Sequence, residues 1–262
     1  DLDKAFTYLE KSGHKAKQLL DLKLAGNFYD RLSKIFIDEK YQKNVLSLRG
    51  NEWTAQNANE ENILNHYLRI ELLKGDMFLS TGRWQEAENI LHAALMPAKG
   101  TNDKLSHPNC ASRLSEACRL NSKFDECRKW LEESLSKCNE HKDHPDHTHL
   151  SFDILIRIGT LDIDEGKLDD AEKIFNECKK LLHALNDPIK TATLHGNFGT
   201  LHLQQGKLQE SYAEFEDMVE ICKKHDYKHM SIKPLSNMGV IHNQQGDIKK
   251  ANAMFGKMIK VA

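Results

Sequence analysis

Along most of this chain, apolar residues recur every three or four positions in runs separated by short polar stretches that contain glycine. That period puts side chains on one face of an α-helix, so the pattern predicts a succession of amphipathic helices. Three stretches, GTLDIDEGKLDDAEKIF (159–175), GTLHLQQGKLQESYAEF (199–215) and GVIHNQQGDIKKANAMF (239–255), align without gaps at a spacing of 40 residues. A fixed period of this size signals stacked units, each too small to bury its apolar face alone. Gly159, Gly199 and Gly239 sit inside helical patterns, where glycine costs about 1 kcal/mol relative to alanine, so they mark places where two helices approach closely. Gly166, Gly206 and Gly246 supply the left-handed residue that ends a helix, and Leu168, Leu208 and Ile248 restart the apolar stripe. Ala171, Ser211 and Ala251 are small where the two helices of a pair cross, and Phe175, Phe215 and Phe255 are expected to fill the space between pairs. Each unit is therefore predicted to be a helix-turn-helix hairpin.

The same columns extend upstream. Gly75, Phe78, Gly82, Trp84, Ala87, Leu91 and Ala94 fit them, with Pro97 expected to end the second helix. A weaker copy has Leu114, Ser115, Cys118, Ser122, Phe124, Cys127 and Leu131, with Ser and Cys in place of Gly and Ala. These columns resemble the tetratricopeptide repeat family, whose unit is a helix-turn-helix with small residues at the crossing. The period is longer than the common unit and is similar to the repeats of kinesin light chains and Pins-type spindle-orientation proteins. The resemblance implies an all-α fold, an α-α superhelix or solenoid of hairpins, with units near residues 68–107, 108–151, 152–191, 192–231 and 232–262. Before the array (60–262), residues 1–59 read as a helical segment. Gly26-Asn27-Phe28 suggests a degenerate turn there, although Arg31 stands where a small residue belongs. NEWTAQNANEEN (51–62) has the composition of a connector, and Glu60 to Ser80 reads as one long helix. At the other end, Phe255, Met258, Ile259 and Val261 give an apolar face with no polar capping helix after it, which predicts a longer natural chain or a docked neighbour.

In the resembled family, partners lie on the concave face, which is lined by the first helix of each pair. Carried onto this sequence, that face includes Leu73, Arg113, Arg157, Asn197 and Asn237, two residues before the first glycine column. It also includes Gln204, Asn243 and Gln244 after it. Asn and Gln both donate and accept, so an amide ladder suits an extended peptide backbone. Arg113, Arg119 and Arg157 add positive charge that would favour acidic segments. The chaperone-tail clamp of some relatives is matched only in part: Asn197 and Lys233 occupy two of its columns, but Ile156, Thr160 and Asn237 replace the Lys, Asn and Arg it uses.

Composition narrows the function further. A net charge of -2 over 262 residues does not suit a dedicated nucleic-acid binder, and no apolar run is long enough for a membrane span. Six dispersed cysteines without paired spacing read as reduced thiols, which points to a cytoplasmic location. Cys138, His141, His144, His147 and His149 crowd into CNEHKDHPDHTH (138–149), the one tract with metal-ligand chemistry. It coincides with a repeat of 44 residues, contains Pro145 and lacks a matching second cluster, so it reads as an exposed loop and no metal is expected. No phosphate-binding glycine loop, nucleophile elbow or H-E-x-x-H motif occurs, so neither catalysis nor a cofactor is expected. The sequence predicts a scaffold or adaptor that binds a peptide or helix of a partner protein. A docking or spacer subunit of a large motor, ciliary or cytoskeletal complex is the alternative, as is the sensor array of a larger signalling protein.

Overall fold

A computed structural model describes residues 7–8, 11–13, 15, 22–37 and 39–261. Among these there is no strand, and no helix is long and apolar enough to cross a membrane. The chain divides into two compact units, residues 1–154 and 155–262.

In the first unit, α1 (Leu22–Ile37) and α2 (Glu39–Gly50) pack on α3 (Ala58–Ser80), which pairs with α4 (Trp84–Gly100). The pair α5 (Ser106–Leu120) and α6 (Phe124–Asn139) follows, and α7 (His147–Asp164) carries the chain into the second unit. Tyr29, Leu32, Leu48, Leu64 and Ile70 share one core, so residues before the array are bound into it by ordinary apolar burial. Gly26 lies inside α1 and not at a turn; a Cβ there would meet Met77 Sδ at 2.9 Å. Asn57 caps α3 by accepting from the backbone N–H groups of Asn59 and Glu60. Pro97, expected to end α4, lies within it, and the helix runs on to Gly100. Gly100 is there for a reason remote in sequence, because a Cβ would fall 2.0 Å from the carbonyl oxygen of Trp53. Trp53 in turn stacks on Tyr67, with ring centroids 5.0 Å apart.

In the second unit, α8 (Leu168–Leu185), α9 (Pro188–Gln204), α10 (Leu208–Lys224), a 3₁₀ turn (Lys228–Ser231), α11 (Ile232–Gln244) and α12 (Ile248–Val261) follow. The close pairs are α9 with α10 and α11 with α12. Pro188 opens α9 behind Asp187, whose carboxylate accepts from the N–H groups of Ile189 and Lys190.

The glycine column does what the sequence demands. A Cβ on Gly159, Gly199 or Gly239 would sit 2.3, 2.6 or 2.5 Å from the ring of Phe175, Phe215 or Phe255 respectively. In the first unit, Gly75 stands in the same way against Leu91, at 2.7 Å. The phenylalanines therefore lie over the glycine of their own hairpin, where the sequence pattern placed them between pairs. Phe215 also reaches the next hairpin, sharing a core with Leu235, Met238 and Ile241. At the crossing, the buried Ser211 hydroxyl donates to the Gly199 carbonyl over 2.7 Å. The inter-helix turns share one hydrogen-bond pattern: Lys167, Lys207 and Asp247 donate to the carbonyls of Asp162, His202 and His242 five residues earlier, around glycines with φ near +75°.

Ser122 takes the glycine's place in the α5–α6 turn, at φ +61°. A left-handed non-glycine residue costs about 1–2 kcal/mol. Glycine gives back part of that through its freer unfolded chain, roughly 0.5–1 kcal/mol. Ser122→Gly is therefore expected to stabilise the chain by up to about 1 kcal/mol, read as a raised urea midpoint with an unchanged m-value; a lowered midpoint would contradict this reading of the turn.

Candidate binding face

The second unit carries the amide-rich part of the predicted face. Asn197 sits midway along α9, and its amide is held from two sides. Nδ2 donates to the Thr193 carbonyl at 2.8 Å, and Oδ1 lies 3.1 Å from the Thr160 hydroxyl, whose single proton is shared with the Ile156 carbonyl at 2.8 Å. Those bonds use one of its two N–H groups and one of its lone pairs, so the amide is fixed without being exhausted. Thr193 and Thr200 turn their hydroxyls back onto their own helix, donating to the carbonyls of Ile189 and Gly196. Their oxygens retain acceptor capacity.

Beside Asn197 is a recess of about 130 Å³, lined by Thr193, Gly196 and Thr200 of α9, Phe215 and Met218 of α10, and Lys233 and Pro234 of α11. Its walls combine an apolar part (Phe215, Met218, Pro234) with a polar part that includes an ammonium group. Gly196 makes the space: a Cβ there would lie 2.7 Å from Met218 Sδ. The recess thus has the mixed chemistry of a site that takes one side chain together with a neighbouring polar or anionic group.

Of the residues predicted for the face, the structure brings Asn197 and Lys233 together at this recess. Asn237 is half-buried on α11, while Gln204, Asn243 and Gln244 are exposed near the C-terminal ends of α9 and α11 and lie outside it. Arg157 is half-buried on α7. In the first unit, Arg113 joins α5 to α3 through an ion pair with Asp76, and its Nε donates to Asn109 Oδ1 at 3.2 Å. Burial alone would lower the Arg113 pKa, but the Asp76 carboxylate outweighs it and holds the guanidinium above its ordinary value. Arg119 is paired with Glu116 at 2.8 Å. Two of the three arginines that gave the sequence its positive stretch therefore already hold carboxylates of the chain itself.

Neither a protein-family model nor a curated protein matches the sequence. Solved structures do match. The Rap conjugation gene regulator of the plasmid pLS20, in complex with the Phr* peptide, aligns at TM-score 0.67 and 13% identity, over 99% of this chain and 74% of that one. BtubC from P. vanneervenii aligns at 0.57 and 14% identity, over 100% and 91%. A kinesin light chain-like array of nearly identical TPR-like repeats from Podosopora anserina aligns at 0.52 and 15% identity, over 74% and 94%. The fold is that of a tetratricopeptide-type repeat array.

The recess lies between two hairpins of the tetratricopeptide-type array, α9–α10 and the start of α11. Sequence reasoning found Asn197 and Lys233 through the family's columns and missed Thr193, Gly196, Thr200 and Met218. The repetition of threonine at 160 and 200 was the available signal.

The cysteine and histidine tract does not assemble. Cys138 is buried, with Sγ 3.4 Å from the Ser151 hydroxyl. Burial pushes its thiol pKa up, against a smaller lowering from Ser151. His147 Nε2 lies 3.3 Å from the same hydroxyl, His144 faces Asp103 at 3.4 Å, and His149 is exposed. Among the described residues, none of the groups of three or more that could hold a metal includes Cys138, His141, His144, His147 or His149. A different trio, Glu88, Cys118 and Glu126, does converge. There Glu88 is already held by Asn121 at 2.6 Å and Lys123 at 2.5 Å. Burial, reinforced by the two glutamates, pushes the Cys118 thiol up to about 12.

Proposed function

We propose that the chain is a non-enzymatic protein-interaction scaffold that holds an extended segment of a partner protein along α9 and α11. The observation that supports this reading most directly is the recess at Asn197 and Lys233, where a fixed amide stands beside an exposed ammonium group and an apolar pocket. A fixed amide reads a peptide backbone at little entropic cost, because its rotamer is set before the partner arrives. The pocket is sized for one apolar side chain, and Lys233 favours a carboxylate nearby. The pLS20 regulator holds its Phr* peptide on the same fold, so this architecture accommodates such a ligand.

The test is selection from a displayed library of linear peptides on the immobilised chain. Recovered sequences are expected to share an apolar residue next to Asp or Glu, and their binding to weaken as salt is raised. Failure to enrich any sequence above background would reject peptide capture and leave a spacer role.

A further inference from the structure

We infer that His195, Glu214 and Asp217 form a binding site for a divalent transition-metal ion of the zinc type on the α9–α10 hairpin. His195 comes from α9, and the two carboxylates stand three residues apart on α10, which puts them on one face of that helix. His195 Nδ1 lies 2.7 Å from Glu214 Oε2 and 3.8 Å from Asp217 Oδ2, and all three donor atoms fall within 4.8 Å of one another. Ligands about 2.0–2.2 Å from a tetrahedral zinc ion are separated from one another by roughly 3.3–3.5 Å. The two measured separations bracket that value, so small carboxylate rotations would complete the geometry. One imidazole nitrogen and two carboxylate oxygens match zinc's ligand preferences and leave coordination positions for water.

The repeat makes two of the three stand out, since the Asp217 column also carries a carboxylate, Glu177, in the preceding hairpin. In the column of His195 the other two C-terminal hairpins carry Leu155 and Leu235, and in the column of Glu214 they carry Ile174 and Met254. The upstream hairpins have Ile90 and Trp130 in the Glu214 column. In the His195 column the two upstream hairpins carry Glu71 and Ala111, so of the five hairpins this one alone has polar, ligating side chains in both columns, an imidazole and a carboxylate, which forgoes apolar burial. A single hydrogen bond to the imidazole would need only one carboxylate. The second, Asp217, stands 3.8 Å from the same nitrogen, beyond hydrogen-bond reach, and the like charge it adds to the site would be relieved by a bound cation. All three side chains are partly exposed, at 30%, 27% and 59%, so an ion can enter without unfolding the hairpin.

The repeat also supplies the control, since His195→Leu/Glu214→Ile installs the residues that the preceding hairpin already tolerates in these columns. The chain, stripped with a chelator, is titrated with Zn²⁺ by calorimetry, and with Co²⁺ while its visible absorption is followed. The unsubstituted chain is expected to take up one Zn²⁺ that the double variant does not, with unchanged helicity in the variant. The Co²⁺ complex is expected to show d–d bands without sulfur charge-transfer bands. Equal uptake by the two chains, no saturable uptake by the unsubstituted chain, or sulfur charge-transfer bands that persist in the variant would overturn the assignment.

Discussion

Phe215→Ala is expected to be among the most damaging single changes in the second unit. The ring is buried to 1% exposure, lies over Gly199 and shares a core with Leu235, Met238 and Ile241 of the next hairpin. Truncating a buried phenylalanine costs about 3–5 kcal/mol, part of it from the cavity left behind. Stacked repeats are held mainly by nearest-neighbour contacts, so the loss should stay local. Amide exchange is expected to accelerate through α9–α12 while α3–α6 keep their protection, and denaturant unfolding should broaden or split. A uniform loss of protection, or a change below about 1 kcal/mol, would contradict this account of the core.

The partner of that ring makes the effect specific. Gly199→Ala would gain about 1 kcal/mol of helix propensity if nothing stood nearby. Here the new methyl meets Phe215 Cε1 at 2.6 Å and Cδ1 at 2.7 Å, against a ring wedged in a packed core. Overpacking of this kind costs about 1–3 kcal/mol, so the single variant is expected to be destabilised on balance. In a Phe215→Ala background the obstacle is gone, and the same Gly199→Ala change is expected to stabilise. The double-mutant cycle should give a coupling on the order of 2 kcal/mol, and additivity would mean that the glycine is there for another reason.

This column was legible in the sequence because its chemistry is local and repeated three times: a glycine, and sixteen residues later a phenylalanine. The turn glycines were legible for the same reason, and so was Ser122 as their substitute. Features that depend on the wider structure were not. Pro97 looks like a helix end, yet α4 continues past it; Gly100 answers to the Trp53 carbonyl, 47 positions away. Arg113 looked available for a partner because Asp76 is 37 residues upstream, beyond any helical spacing that a sequence pattern reveals. At the recess, Asn197 and Lys233 were picked out by their columns. Thr193 and Thr200 were not, because a threonine bonded to its own helix backbone looks like any other helical residue. Met218 reads as plain core, and only the missing Cβ of Gly196 turns it into the wall of a recess.

The proposed face, of which Asn197 and Lys233 border the recess, leads to the second large effect. Asn197→Ala/Asn237→Ala/Gln244→Ala removes three amides from the face, each able to give a peptide about 1 kcal/mol through its hydrogen bonds. Together they amount to a loss of roughly a hundredfold in affinity for a selected peptide, at about 1.4 kcal/mol per factor of ten. Lys233→Glu separates charge from amide recognition. It removes a charge-assisted bond worth about 1.5–3 kcal/mol and opposes an acidic segment, so a loss of ten- to a hundredfold is expected for acidic peptides. That loss should shrink as salt screens the site, whereas the loss in the triple variant should not, because hydrogen bonds between neutral groups respond little to ionic strength. Fluorescence anisotropy with a labelled peptide at low and high salt reads both effects, and circular dichroism confirms that the helices persist. Asn197 also ties α9 to Thr160, so a melting curve must accompany the triple variant. Binding by the triple variant within about threefold of the unsubstituted chain would place the partner elsewhere. A salt-independent loss from Lys233→Glu would mean that the lysine shapes the recess through its stem and not its charge.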